Sequence, residues 1–275
     1  MYGRHTTPGA IWWSNPHHSG RRRGGVVSIP GKFTDKTMSA MCSEFGVHIE
    51  KKRYGVTCTT RSNSDPDPDA VARAGAAFVA ACARDAVAAS GHFHFAVSGG
   101  HTPWAMFAEL ASQAVPWDTV VIYQVDERVA PPDDPDRNLT HLHAALASAP
   151  AQVRAMPVNE TDLAAAADAY AAMLPEQVDL VHLGLGPDGH SASLVPGDPV
   201  LSVTDRLVAL TQPYQGHVGM TLTYPALARA SQILWLVTGA DKKDALARLL
   251  AGDTTIPAGR VEAAASLVMA DRASS

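Results

Sequence analysis

The feature that most constrains the fold is a regular alternation of strand-like and helix-like segments beyond Tyr54. Short apolar runs such as "TVVIYQV" (119–125) and "ILWLVTG" (233–239) are each followed by a stretch that begins with helix start signals. Continuous β-branched runs are typical of parallel strands buried on both faces, and helices are the usual connection between such strands. The sequence therefore predicts an α/β fold: an open, mainly parallel, Rossmann-like sheet with helices on both faces.

The individual elements follow from the apolar spacing and from the glycine, proline and capping residues between them. Predicted helices cover about residues 69–89, 103–111, 138–146 and 163–173, with one more after residue 239. Predicted strands cover residues 92–97, 119–125, 178–184 and 233–239. Ligands of open parallel sheets bind at the carboxyl ends of the strands, so that edge is where site residues are expected.

Composition narrows the functional classes. The chain has 275 residues and a net charge of -5, which gives no general attraction to nucleic acid or to an anionic membrane. No apolar run approaches the roughly 18 residues of a membrane span. The three cysteines, Cys42, Cys58 and Cys82, form no CxxC pair and no even disulfide framework. We expect a cytoplasmic monomer or small homo-oligomer with no nucleic-acid or membrane partner.

The first part of the chain differs from the rest. Residues 1–34 carry five basic residues and no acidic one, and little periodicity is visible before residue 54. Such composition predicts a disordered extension over residues 1–53 and a single α/β domain over residues 54–275. An organelle transit peptide and a later translation start at Met38 or Met41 are the alternatives.

A glycine turn follows the first predicted strand. The segment "SGGHT" (98–102) stands between that strand and a helix opened by Pro103. Two glycines allow close backbone approach, and the unpaired N–H groups of the next helical turn point at whatever lies there. The pattern predicts an anion site, most simply for phosphate, although it is neither a Walker loop nor GxGxxG.

Charged residues follow the next predicted strand. Asp126, Glu127 and Arg128 come directly after "TVVIYQV" and precede the turn-rich segment 129–138. Residues in this position are either solvated loop residues or site residues, and the sheet edge favours the second interpretation. Arg128 offers planar donors to a phosphate or a carbonyl oxygen, and Asp126 can orient a donor or a substrate hydroxyl.

The segment "GLGPDGHSASLVPG" (184–197) follows a third predicted strand. His190 is the one side chain in it that can accept and return a proton near neutral pH. Its glycines allow a tight loop in which Asp188 and His190 both face the open edge of the sheet. A lone histidine is more often structural than catalytic, so the residues alone leave both roles open.

Five motifs in this order make the chain resemble the 6-phosphogluconolactonases, which are lactone hydrolases of the pentose phosphate pathway. They are "VSGGHTP", "DERVAPPDDPDRN", "GLGPDGHSASLVPG", "TLTYPALARA" and "VTGADKKDAL", and the likeness spans about residues 65–270. The DER and PDGH elements together are specific, whereas the glycine turn alone is not. The wider group shares its fold with glucosamine-6-phosphate deaminases.

The resemblance implies hydrolysis of a small-molecule substrate, 6-phospho-D-glucono-1,5-lactone, to 6-phosphogluconate without a metal or other cofactor. It implies that His190 removes a proton from water and returns it to the departing ring oxygen, while Asp188 holds the imidazole. Arg128 would stabilise negative charge on the oxyanion or on the phosphate. The residues that match the phosphate-binding positions are Ser98, Gly99, Gly100, Thr102 and Lys242.

Three positions depart from the family pattern. His101 stands where the family usually has Ser, Thr or Gly. Tyr214 occupies a position that is usually lysine, and Gly219 one that is usually arginine; His217 is the candidate replacement. These changes affect the expected phosphate recognition but not the expected fold.

Specific residues argue against three other enzyme classes, namely a deaminase, a Ser-His-Asp esterase and a metal hydrolase. Deaminases continue the Asp-Gly-His unit with Asn-Glu-Pro-Gly, whereas this chain has "LVPG" (194–197), whose Val195 cannot perform acid–base chemistry. A Ser-His-Asp esterase would need a GxSxG turn, and none is present. The pairs His92/His94 and His141/His143 lack a third ligand at metal spacing. A non-catalytic sugar-phosphate-binding module remains open, because the segment "PYQGHVG" (213–219) is altered.

Overall fold

A computed structural model of the chain describes residues 47–52, 55–60, 67–271 and 273–274. Most of the predicted extension, residues 1–46 and 53, lies outside the described residues. Its last part, Val47–Lys52, forms strand β1, which pairs antiparallel with β2 (Gly55–Thr60). The described sheet therefore begins before the expected domain start at residue 54.

The remaining elements follow the predicted alternation. The strands are β3 (Phe93–Val97), β4 (Val120–Gln124), β5 (Asp126–Arg128), β6 (Gln152–Arg154), β7 (Leu180–Leu183), β8 (Val208–Leu210), β9 (Gly219–Leu222), β10 (Ile233–Val237) and β11 (Ser266–Ala270). The helices are α1 (Pro68–Ser90), α2 (His101–Ala111), α3 (Asn138–Ala145), α4 (Leu163–Met173), α5 (Tyr224–Leu227) and α6 (Lys243–Ala251). Short 3-10 turns cover Trp117–Thr119, Pro199–Ser202, Ala240–Lys242 and Ala258–Arg260.

The main sheet confirms the predicted fold class. Its strand order is β1-β2-β11-β10-β7-β3-β4-β6, and every pair other than β1–β2 is parallel. Side chains of β10 alternate between two cores: Leu234 and Leu236 pack with residues of α1 to α3, whereas Trp235 packs with residues of α4 to α6. Helices thus cover both faces of an open, mainly parallel sheet.

Local signals explain the best-predicted helix. The carboxylate of Asp67 accepts a hydrogen bond from the Ala70 N–H at 2.7 Å, and Pro68 occupies the first helical turn of α1. The helix ends at Gly91, which has a φ of 84° and donates its N–H to the Val87 carbonyl oxygen. These are the usual start and stop devices of helices, so the prediction of 69–89 lies within one residue of the observed bounds.

A second sheet was not expected from the sequence. It is antiparallel with the order β5-β9-β8, and its first strand is Asp126–Arg128. The sequence did not indicate this short strand, since three residues are too few to show a period of two. Strand geometry turns alternate side chains to opposite faces, which separates Glu127 from Asp126 and Arg128.

The topology fixes where a ligand can bind. Strands β3 and β7 are neighbours in the sheet. After β3 the next strand of this sheet that lies beside it is β4, toward one edge, whereas β10 lies beside β7, toward the other edge. The gap between the carboxyl ends of β3 and β7 is thus a topological switch point, the usual ligand crevice of an open α/β sheet. In the part of the chain that the structure describes, no helix combines the length and apolar character needed to cross a bilayer.

Candidate active site

An open cavity of about 850 Å³ lies at this switch point. It is bounded by the turn after β3, the loops after β7 and β10, and the small second sheet. The predicted site residues that line it are Ser98, Gly99, Gly100, Thr102, Asp126, Arg128, His190 and Lys242. Residues of four separate sequence motifs therefore line one space.

The Asp-Gly-His loop holds its imidazole through a carboxylate. The Nδ1 atom of His190 lies 2.5 Å from Oδ1 of Asp188, and the His190 backbone N–H donates to the same oxygen at 3.1 Å. Partial burial raises the pKa of Asp188, but the hydrogen bonds and charge of His190 outweigh it, and the net effect lowers that pKa. Because the carboxylate can only accept, Nδ1 carries the hydrogen and the neutral ring keeps its lone pair on Nε2.

Two glycines of this loop are required by the geometry. A Cβ added to Gly186 would lie 2.1 Å from Nδ1 of His190. Gly189 has a φ of 82°, and a Cβ there would lie 2.6 Å from Cβ of Ile256. A Cβ on Gly184 would meet nothing within 4 Å. Thus Gly186 makes room for the imidazole and Gly189 for the chain reversal.

A half-buried carboxylate lies in the wall formed by the second sheet. Asp126 accepts a hydrogen bond from the Ser193 hydroxyl at 2.9 Å. Burial raises the pKa of Asp126 from its usual 3.8 to about 6, against the opposing effects of Ser193 and Arg128. Ser193 belongs to the quoted 184–197 motif, but nothing in its sequence context indicated this contact.

Glu127 anchors the wall without facing the cavity. It is fully buried, and its Oε1 accepts the N–H groups of Arg128 and Asn138, each at 2.8 Å. Its Oε2 accepts the Leu139 N–H and the Gln124 side-chain amide, also at 2.8 Å. One carboxylate thus fixes β5 to the first turn of α3, where a negative charge is also favoured by the helix dipole.

Arg128 is joined to a residue that the sequence did not connect with it. Its Nη1 donates to the Asp136 carbonyl oxygen at 2.6 Å. The carboxylate of Asp136 lies 3.0 Å from Nε2 of His217, which is 81 positions away in the chain. A tight turn at Gln215 and Gly216, with φ values of 50° and 88°, presents His217 at the cavity.

The glycine turn after β3 lines another part of the cavity. Gly100 has a φ of 124° and precedes α2, whose first turn has no side-chain cap. A Cβ on Gly99 would lie 1.9 Å from Oδ1 of Asn138, so only glycine fits beside α3. The buried Ser98 hydroxyl has no partner among the described residues, and Oγ1 of Thr102 lies 2.5 Å from Oγ1 of Thr238. Backbone donors and a hydroxyl are therefore available to an anion here.

The rim of the cavity carries the remaining predicted groups. Lys242 lies in the 3-10 turn after β10, and its Nζ is 3.1 Å from Oδ2 of Asp241. His101 is exposed and packs edge-on against Trp104, which also stacks on the ring of His141 at 3.8 Å between centroids. The bulky residue at position 101 therefore lies at the rim of the glycine turn and does not fill it.

Three further histidines, His92, His94 and His182, do not line the cavity. His182 in β7 is fully buried, neither ring nitrogen has a partner among the described residues, and burial lowers its pKa to about 3. His92 and His94 contact each other with ring centroids 4.6 Å apart. Among the described residues, no three His, Cys, Asp or Glu side chains are grouped as metal ligands would be.

The fold and the site define an open α/β protein with a glycine turn and a carboxylate-held imidazole at one edge of its sheet. Comparisons with known proteins identify its family. The family model described as glucosamine-6-phosphate isomerases/6-phosphogluconolactonase matches residues 66–269. The chain belongs to this family.

Several named relatives are 6-phosphogluconolactonases. The 6-phosphogluconolactonase of Nostoc sp. is 34% identical over 180 residues, which are 60% of this chain and 75% of the relative. That of Caulobacter vibrioides is 39% identical over 184 residues, 61% of this chain and 76% of the relative. The crystal structure of a 6-phosphogluconolactonase from Shewanella baltica superposes with a TM-score of 0.70 at 26% identity and covers 80% of this chain and 99% of its own. The predicted family, fold and enzyme class are confirmed.

Proposed function

We propose that this protein hydrolyses 6-phospho-D-glucono-1,5-lactone to 6-phosphogluconate, with His190 as the general base. One observation carries the residue assignment: Nδ1 of His190 is held at 2.5 Å by Asp188, which leaves Nε2 as a base in a cavity that also contains an anion-binding turn. The reaction itself is that of the 6-phosphogluconolactonases to which the chain is similar.

The proposed reaction needs one proton carrier. Nε2 of His190 takes a proton from water as the water oxygen bonds to the lactone carbonyl carbon, which gives a tetrahedral oxyanion. When this intermediate collapses, the bond from the carbonyl carbon to the ring oxygen breaks and the imidazolium returns its proton to that oxygen. The products are a carboxylic acid and a sugar hydroxyl, and the acid then ionises to a carboxylate and releases one proton to solvent. No redox partner is required. Asp188 keeps the ring in the productive tautomer throughout.

The remaining residues bind and polarise the substrate in this proposal. Arg128 stabilises negative charge on the oxyanion or phosphate, and Asp126 orients a sugar hydroxyl. The phosphate is bound by the glycine turn and by the polar side chains around it, namely Ser98, Thr102 and Lys242. Remote phosphate binding positions the reacting carbon, so part of its binding energy is expected in kcat/KM.

Deamination of glucosamine 6-phosphate is the competing activity within the family. Val195 lines the cavity at the position where a deaminase has glutamate, and Leu194 beside it is fully buried. An apolar pair at this point offers no acid–base group for opening a sugar ring. The site therefore favours the lactonase.

The test is a pair of assays on the purified full chain. Freshly prepared 6-phosphogluconolactone is followed by acid release against its spontaneous opening, and glucosamine 6-phosphate is followed by ammonia release. We expect lactone opening well above the buffer rate and no ammonia; ammonia without lactone opening would reverse the assignment. The cytoplasmic location, the monomeric or small oligomeric state and the lack of a cofactor stay predictions.

A further inference from the structure

The cavity has little permanent positive charge for a phosphorylated substrate. Its lining includes two such cations, Arg128 and Lys242, against three carboxylates, Asp126, Asp136 and Asp241. Nη1 of Arg128 is engaged by the Asp136 carbonyl oxygen at 2.6 Å, and Nζ of Lys242 by Oδ2 of Asp241 at 3.1 Å. A phosphate dianion therefore needs a further positive partner.

The usual arginine of the family does not fit at position 219 of this chain. Gly219 pairs with Arg128 across β5 and β9, and it is buried. A Cβ there would lie 2.9 Å from Oγ of Ser193 and 3.1 Å from Oγ1 of Thr211. A long side chain at this point would displace both hydroxyls, including the one bound to Asp126.

Among the described residues, four imidazoles line the cavity, and three of them are poorly suited to bind an anion. His190 is already assigned as the proposed general base. Nε2 of His141 faces the Pro135 carbonyl oxygen at 2.8 Å, and its ring is stacked on Trp104. His101 stands in the first turn of α2, where the helix dipole disfavours a positive charge.

His217 remains, and its surroundings suit a cation. Its Nε2 lies 3.0 Å from the Asp136 carboxylate, whereas Nδ1 has no partner among the described residues. The charged or titratable groups around it are Asp136, the guanidinium of Arg128 bound to the same loop, and Tyr214 of its own hairpin. Tyr214 in turn contacts the His190 ring edge-on at 5.7 Å. One carboxylate gives the imidazolium a counter-charge, and the ring can still donate from Nδ1.

We propose that His217 is a specificity-determining residue, whose imidazolium, oriented by Asp136, donates a charge-assisted hydrogen bond from Nδ1 to the substrate phosphate. The proposal rests on the proposed lactonase function for its substrate. Histidine is the side chain that ordinarily changes charge between about pH 5 and 8, so phosphate affinity becomes dependent on pH in this protein. A lysine or arginine in that role would keep its charge over the same range.

Two substitutions at the same position separate this role from a structural one. His217→Gln can keep a hydrogen bond to Asp136 but carries no charge, and His217→Arg carries a permanent charge. KM and kcat are measured from pH 6 to 8.5 for 6-phosphogluconolactone and for unphosphorylated glucono-1,5-lactone. His143→Gln, on the exposed side of α3 and outside the cavity lining, is the matched control.

At each pH, the KM of each variant is divided by the KM of the wild-type protein. This ratio cancels the effect of the ionisation of the substrate phosphate itself. We expect His217→Gln to raise KM for the phosphorylated lactone about tenfold at pH 6 and less than twofold at pH 8.5, with kcat unchanged. His217→Arg should keep the low KM at both pH values. Neither variant should change KM for the unphosphorylated lactone.

A KM ratio that is the same at every pH, or a fall in kcat with KM unchanged, would overturn the proposal. Calorimetric titration with 6-phosphogluconate at pH 6 and 8.5 gives a reading that needs no turnover. If the protein opens no lactone, the proposed function fails. The phosphate site at His217 would still be supported if His217→Gln bound 6-phosphogluconate tenfold more weakly than wild type at pH 6 but not at pH 8.5. Equal binding by both proteins at pH 6 would refute it.

Discussion

The raised pKa of Asp126 predicts a measurable effect on stability. A change from 3.8 in the unfolded chain to about 6 in the folded protein corresponds to an unfavourable contribution of at most about 3 kcal/mol above pH 7. It is an upper limit because Asp126 is half-buried and borders the cavity. The folded state holds the proton more tightly, so this penalty is absent below about pH 4, grows as the pH rises from 4 to 6, and is complete above pH 7.

The substitution Asp126→Asn removes the charge and keeps an oxygen that can accept from the Ser193 hydroxyl. We expect the free energy of unfolding to increase by about 1–3 kcal/mol at pH 8, which is a Tm increase of about 3–10 °C for a domain of this size. At pH 5 the wild-type carboxylate is largely protonated, and about half of the gain should remain. Lactone hydrolysis should fall in the same variant, because Asp126 faces the substrate in the proposed reaction.

Urea denaturation at pH 5 and pH 8, followed by circular dichroism, measures both differences. Ser193→Ala is the matched control, since it removes the hydroxyl that stabilises the charged carboxylate. It should destabilise the protein by about 1–3 kcal/mol at pH 8, opposite in sign to Asp126→Asn. An Asn variant that is less stable than wild type at pH 8, or whose gain is the same at both pH values, refutes the argument.

Three further predictions concern the loops around the cavity. Gly186→Ala places a Cβ 2.1 Å from the imidazole of His190, the proposed base, and should lower kcat about 10²–10⁴-fold. Gly184→Ala has open space and should keep most of the activity, and similar kcat values for the two variants would contradict this. Asp188→Asn lets an amide donate to the ring, which favours the wrong tautomer, so kcat should fall about 10³-fold with KM little changed, as steady-state assays at pH 7.5 would show. Lys242→Ala should raise KM for the phosphorylated lactone about tenfold, and Lys243→Ala, outside the cavity lining, should not; equal KM values would remove Lys242 from the phosphate site.

Elements with a strong local signal could be predicted from the sequence. Helix α1 has a capping aspartate, a proline in its first turn and a glycine at its end, and α4 begins after the capping Asp162, so both were found within one residue. The central strands β4 and β10 are continuous apolar runs. Because the carboxyl ends of parallel strands share one edge of the sheet, the three site motifs could also be expected to meet.

The parts that the sequence did not predict depend on contacts between distant or very short segments. Strand β5 has three residues, and only its pairing with β9 defines it. The contact between Asp136 and His217 joins positions 81 apart, and Asp126 finds Ser193 across 67 positions. Glu127 was visible in the DER motif, but its burial and its four hydrogen bonds arise from the packing of β5 against α3. Tertiary structure creates these groupings, so no local pattern indicates them.

The central claim is that one imidazole moves the proton during lactone opening. It is tested most directly by the kcat of His190→Ala with fresh 6-phosphogluconolactone at pH 7, corrected for spontaneous opening and compared with His143→Ala, an exposed histidine outside the cavity lining. We expect a loss of about 10²–10⁴-fold for the first variant and none for the second, with both still folded. Wild-type kcat in a folded His190→Ala protein would contradict the account.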